Sequence, residues 1–189
     1  MNTGQTILTI GALIILGMSV LTTNRTSLQH GAIINQTEID IYAVSLAEAK
    51  IEEASGKAFD HFSSTDTAGN GNVITSLTQL TDWNVLGKES DDTVAAGPPM
   101  HYFFDDFDDY NYYSGNNPFK LYVDGVDTFH IQTTVFYVDT TNPDVNAGTR
   151  TWNKRMIVKV WPSITPWGDA HPKPDTVIMS YTYSYWWFR

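Results

Sequence analysis

The sequence predicts an α+β fold: a long N-terminal α-helix packed on a C-terminal antiparallel β-sheet. Three observations lead there. Ile7–Leu21 is almost entirely apolar, and no charged side chain lies between Asn2 and Asn24. The next thirty residues carry apolar side chains at helical spacing on one side only. From Lys120 onward the apolar period falls to two, the period of a half-buried strand.

The helix divides into an apolar half over residues 1–25 and an amphipathic continuation over 26–58, leaving 59–189 as a β-rich head. In the second half Ile34, Ile41, Val44, Ala47, Ile51 and Ala54 recur at intervals of three, four and seven, while Glu48, Lys50, Glu52 and Glu53 fall mostly on the other side. Ile34, Ile41, Val44 and Ile51 are therefore expected to pack under the chain's own sheet. Ser55-Gly56 supplies the stop, because glycine takes the left-handed conformation that ends a helix. No proline interrupts residues 1–97, so one helix of ~50 residues, roughly 75–80 Å, is expected. Gly11, Gly17 and Gly31 each cost about 1 kcal/mol relative to alanine and mark where bending is easiest.

The apolar half has no partner in its own chain once helix and sheet cover each other. A cleavable secretory signal needs a basic start and a small-residue cleavage site; no Lys or Arg precedes the apolar run. A membrane anchor fits, since the uncharged stretch spans on the order of 25–30 Å against a hydrocarbon core of ~30 Å. A buried helix of a soluble domain is a third reading. The fourth is a helix that sits in the membrane first and in a protein bundle later.

Within the head, SSTDTAGNGN and DDTVAAGPPM have loop chemistry, and NVITSLTQLTDWNVL is weakly apolar without a clear period. DTFHIQTTVFYVD, KRMIVKVWP and DTVIMSYTYSYWWFR read as three antiparallel strands, joined by the loops TTNPDVNAGTRTWN and PSITPWGDAHPKP. The last strand puts Tyr181, Tyr183, Tyr185 and Trp187 on one face and Ser180, Thr182, Ser184 and Trp186 on the other. These aromatics suit packing within and between subunits; a glycan-stacking platform is the alternative.

Composition excludes several functions. A net charge of -10 repels phosphate backbones and anionic lipid, which argues against nucleic acid as a partner. With no cysteine, disulfides and thiolate chemistry are both excluded. The densest oxygen cluster is Asp105, Asp106, Asp108, Asp109 and Asn111. Its four carboxylates form a Ca²⁺ candidate, although Tyr110 breaks the EF-hand spacing. The plainer reading is a solvated acidic turn whose carboxylates cap backbone N–H groups. None of the five histidines is spaced as a metal pair, and no phosphate loop, nucleophile elbow or dinucleotide fingerprint is present. Neither an enzyme nor a cofactor is expected.

The order of these segments, with FDDFDDYNYYSG and the pairing of TVFYVD with KRMIVKVW, resembles the type IV pilin and pseudopilin family, in particular minor pilins of the mannose-sensitive-haemagglutinin type. The resemblance covers most of the chain. It implies a structural subunit of an extracellular, type IV pilus-like filament. Such a subunit is inserted in the inner membrane before assembly, and its partners are the pilus assembly machinery and copies of itself. Gln5, Ile7, Leu8, Ile10, Leu13, Ile14, Leu16 and Leu21 would then pack between subunits in the filament core.

Four departures stand beside the resemblance. The family usually has a glutamate where this chain has Gln5, which accepts a hydrogen bond but cannot neutralise a neighbour's terminal amine by charge. A basic leader ending in glycine, usual in the family, has either been removed ahead of Met1 or was never there. The mid-helix proline is missing, leaving Gly17, Ser19, Thr22 and Thr23 as the places to melt in a filament, and the usual C-terminal disulfide is missing too. Two further functions stay open: a minor pseudopilin or tip subunit of a pilus or secretion system, and a single-pass membrane protein whose β-domain binds a ligand or glycan.

Overall fold

A computed structural model describes residues 3–64, 73–87, 104–113, 118–123, 127–163 and 176–185. The chain falls into two units, Met1–Ile41 and Tyr42–Arg189. Helix α1 spans Thr3–Ser55, so Thr3–Ile41 belongs to the first unit and Tyr42–Ser55 to the second. It passes unbroken through Gly11, Gly17 and Gly31 and ends at Ser55, before Gly56 as expected. Its threonines do not disturb it. The hydroxyls of Thr9, Thr22, Thr23, Thr26 and Thr37 donate to carbonyls one turn back, at 2.8–2.9 Å. A threonine bonded this way presents its methyl group outward and hides its polar atom.

The second unit is an antiparallel sheet of five strands: β1 (Phe119–Val123), β2 (Asp127–Asp139), β3 (Asn142–Asn146), β4 (Asn153–Pro162) and β5 (Val177–Ser184). The order is β1-β2-β4-β5, with β3 on β2. Strands β2, β4 and β5 fall where the period-two pattern put them. Two differ from expectation. Strand β1 emerges where no separate strand was read. Strand β3 lies inside the stretch read as a loop; it is short, fully exposed and contains Pro143, and its pairing with β2 shifts register at Val138/Asp139.

The end of α1 in this unit packs against the sheet through Ala43, Ala47 and Ala54, all buried. This corrects the expected stripe. Ile34 and Ile41 are exposed, Val44 is 38% exposed and Ile51 is half-buried. Ala47 and Ala54 belong to the stripe read from the sequence, and Ala43 joins them on the buried side. Around that end Tyr110 Oη donates to Glu53 Oε1 at 2.9 Å, and Lys50 Nζ lies 5.2 Å above the Phe119 ring.

The sheet's inward face forms the core. Strand β2 buries Phe129, Ile131, Thr133, Val135 and Tyr137; strand β4 buries Lys154, Met156, Val158 and Val160. One cluster gathers Phe59, Ile74, Leu80 and Tyr137, with Trp152, Tyr183 and Tyr185 packed against it. The inward placement of Tyr183 and Tyr185 follows the alternation read from the sequence. Residues 77–79 form a 3-10 turn capped by Ser76. The loops expected within 65–72, 88–103 and 164–175, together with Trp186 and Trp187, lie outside the described residues.

Candidate functional site

Two features stand out, one in each unit. In the first unit the apolar side chains in the N-terminal half of α1 face outward. Ile7, Leu8, Ile10, Leu13, Ile14, Leu16 and Leu21 are 53–75% exposed, and Gln5 is exposed beside them. α1 is long and apolar enough to cross a membrane, and none of its most apolar 18-residue window is buried. The helix could therefore anchor in a membrane. Every alternative also requires something else to cover this surface, since unburied apolar area costs ~25 cal/mol per Å² relative to burial.

In the second unit the acidic segment and strand β4 build a buried charge cluster. A parallel bridge between Ala58 and Asp106 brings the chain just after α1 alongside the acidic segment, with Ala58 N donating to Asp105 O at 3.2 Å and Phe107 N to Ala58 O at 2.9 Å. The acidic turn then caps itself. Asp106 Oδ1 accepts from Asp108 N at 2.8 Å and Asp109 N at 3.1 Å, while Asp109 Oδ2 accepts from Asp105 N at 3.0 Å and Asp106 N at 3.1 Å. The capping role matches the plainer expectation. The solvated setting does not, because Asp106, Asp108 and Asp109 are fully buried.

Lys154 answers them from β4. It is paired with Tyr137 on β2 and with Tyr183 on β5, so both tyrosines flank it on the inward face. Its ammonium donates to Phe59 O at 2.8 Å, to Asp60 Oδ2 at 2.8 Å and to Asp108 Oδ1. All three side chains, Lys154, Asp60 and Asp108, are 0% exposed. Nζ also lies 4.8 Å from the Phe59 ring and 5.3 Å from that of Tyr137. Asp60 is held from several sides, by Thr81 N at 3.0 Å, Thr81 Oγ1 at 3.2 Å and Phe62 N at 3.4 Å. Tyr137 Oη sits 2.9 Å from Thr81 O and 3.3 Å from Asp60 Oδ2. Burial, with Asp60 and Asp108 nearby, raises the Tyr137 phenol far above its ordinary value, so it stays neutral.

The four aspartates of the Ca²⁺ candidate are thus divided. Asp108 turns to Lys154 and Asp109 caps backbone. Asp105 and Asp106, the latter also capping backbone, meet His61, and these three residues offer ligand atoms within 4.8 Å of one another, an arrangement that could hold a metal ion. Spacing along the chain gave no hint of it, because His61 reaches the acidic segment only through the Ala58 bridge. Lys154 and Asp60 were also missed. The signal for Lys154 was in the sequence, since it is in phase with Met156, Val158 and Val160 on the apolar side of β4.

Compared with known protein families, curated proteins and solved structures, the chain matches none.

Proposed function

We propose that this chain is a structural subunit of an extracellular, pilus-like filament. Its apolar helix rests in the inner membrane before assembly and is buried among copies of itself afterwards. The observation that carries this reading is the exposed apolar surface of α1 in the first unit, on a chain whose second unit already has a core of its own. Packing of one helix face onto a different face of the next copy does not close, so it grows as a helical polymer. The back-bonded threonines suit both environments, because neither lipid nor a helix bundle tolerates an unsatisfied hydroxyl.

Shearing native cells without detergent tests it. The sheared material is pelleted at high speed, imaged by negative stain, and this chain is identified by mass spectrometry. Thin filaments made mostly of this chain are expected. A trace amount at filament ends would make it a tip subunit, a reading that Gln5 favours where the pilin family has a glutamate. Recovery only in the detergent-soluble membrane fraction would replace the filament with a membrane-anchored β-domain, for which the length and apolarity of α1 suffice.

A further inference from the structure

The cluster around Lys154 joins an amine, a carboxyl and a second carboxyl in a dry, aromatic-walled space. Among the described residues four carboxyls are buried, Asp60, Asp106, Asp108 and Asp109, against one buried ammonium. Phe59, Phe107, Tyr137 and Tyr183 close the space; Phe59 and Phe107 each meet the Tyr183 ring edge-on, at 5.5 and 5.2 Å. A salt bridge alone gains little in such a place, since desolvation offsets most of the attraction. The same conditions favour nucleophilic chemistry. A lysine beside a carboxylate that can take its proton is a nucleophile, and fixed contact with its partner removes the entropy cost of meeting it.

We propose that Lys154 Nζ and Asp108 Cγ form a spontaneous isopeptide bond, with Asp60 as the proton acceptor. The two carboxyls differ in the way these roles require. Asp60 receives several N–H and O–H groups besides Lys154, the surroundings of a hydrogen-bond acceptor. Asp108 receives Lys154 on Oδ1, while its Oδ2 is buried and accepts no N–H or O–H among the described residues. For Lys154, burial pulls down, but Asp108, Asp60 and Asp106 outweigh it and hold the amine above its ordinary value. The proposed reaction starts from the Lys154 ammonium in contact with both carboxyls, Asp108 protonated as the electrophile and Asp60 a carboxylate as the proton acceptor.

From that state the atoms and charges balance. Asp60 takes one proton from Nζ. The freed lone pair attacks Asp108 Cγ and forms the C–N bond. The Asp108 hydroxyl then leaves as water with a second proton from Nζ, relayed through Asp60. The third proton stays on the amide nitrogen, and Asp60 ends protonated. No oxidant, metal or nucleotide is consumed. The bond concerns the second unit alone, whatever covers the helix of the first. It also supplies the covalent tie that a chain without cysteine lacks.

Mass spectrometry of the full chain, purified in detergent and then denatured, tests this. The intact mass is expected to be lower than the sequence mass by one water. Digestion is expected to release a branched peptide joining Lys154 to Asp108, with no tryptic cleavage after Lys154. Asp60→Asn is expected to keep the full mass while retaining the β-sheet circular dichroism of the parent. The wild-type measurement stands even if that variant does not fold. A wild-type chain at full sequence mass overturns the proposal. So does a water loss that maps to a single aspartate, or a branch at Asp60 instead of Asp108.

Discussion

Lys154 has three N–H donors and three acceptors, so each of its protons is used. Removing it leaves Asp60 and Asp108 buried without their cation. Lys154→Met is expected to destabilise the head by about 3–5 kcal/mol, measured by denaturant titration of the full chain in detergent. A loss below ~1 kcal/mol would mean that the cluster is held by its backbone caps alone. Asp139 gives a smaller, independent test. Its Oδ1 accepts from Thr141 N at 2.9 Å and Thr141 Oγ1 at 3.0 Å, and these bonds hold its carboxyl below the ordinary value of 3.8. Because the folded value is depressed, the stabilisation is complete above pH 3.8 and is lost as the pH falls through the folded value. A carbon-detected NMR titration should place the Asp139 midpoint below 3.8; a midpoint above it would show that the turn at Thr140–Thr141 is open in solution.

Among the elements, the strands that announced themselves are those whose two faces differ in burial along most of their length. Strand β4 alternates buried and less buried residues from Asn153 to Pro162, and such alternation is readable without any partner. Strand β3 could not be read in that way, since all five of its residues are exposed and only pairing with β2 makes it a strand. The helix stripe failed in part, for a different reason. Of the residues read as the stripe, Ala47 and Ala54 are buried and Ile51 half-buried, whereas Ile34, Ile41 and Val44 are exposed; Ala43, one turn before Ala47, is buried in their place, because packing selects on size as well as hydrophobicity. Ala47 and Val44, both in the stripe read from the sequence, should respond differently. Ala47→Leu should cost about 1–3 kcal/mol through overpacking. Val44→Ala should stay within about 0.5 kcal/mol, as for an exposed position. Thermal melts of the two variants in detergent decide, and the reverse ranking would restore the isoleucine stripe. The charge cluster was the least legible part. Its members come from residues 60, 108 and 154, and no local pattern links them; only the phase of Lys154 along β4 betrays a charge on the apolar side.

For the whole molecule, assembly and head stability should separate. Leu13 is 61% exposed and Ile14 55% exposed, so neither contributes to a core within its own chain. Leu13→Asp is expected to abolish filaments, because a lone charge in an apolar bundle costs several kcal/mol, while the head's melting transition stays where it was. Normal filaments from that variant would sink the bundle reading. The proposed bond would act on the other half of this separation. It closes a loop of 46 residues, which by chain entropy alone is worth about 4 kcal/mol to the folded head. The Ala58–Asp106 bridge has a mechanical meaning as well. In the proposed filament, tension would pull each subunit by its helix, and whatever load the buried helix end does not hold would pass to the residues that follow Ser55. Within five residues it meets a backbone bridge at Ala58 and the Lys154 clamp at Phe59 and Asp60. Such a force would be handed to β4, a central strand held on both sides, before it could peel the sheet from an edge.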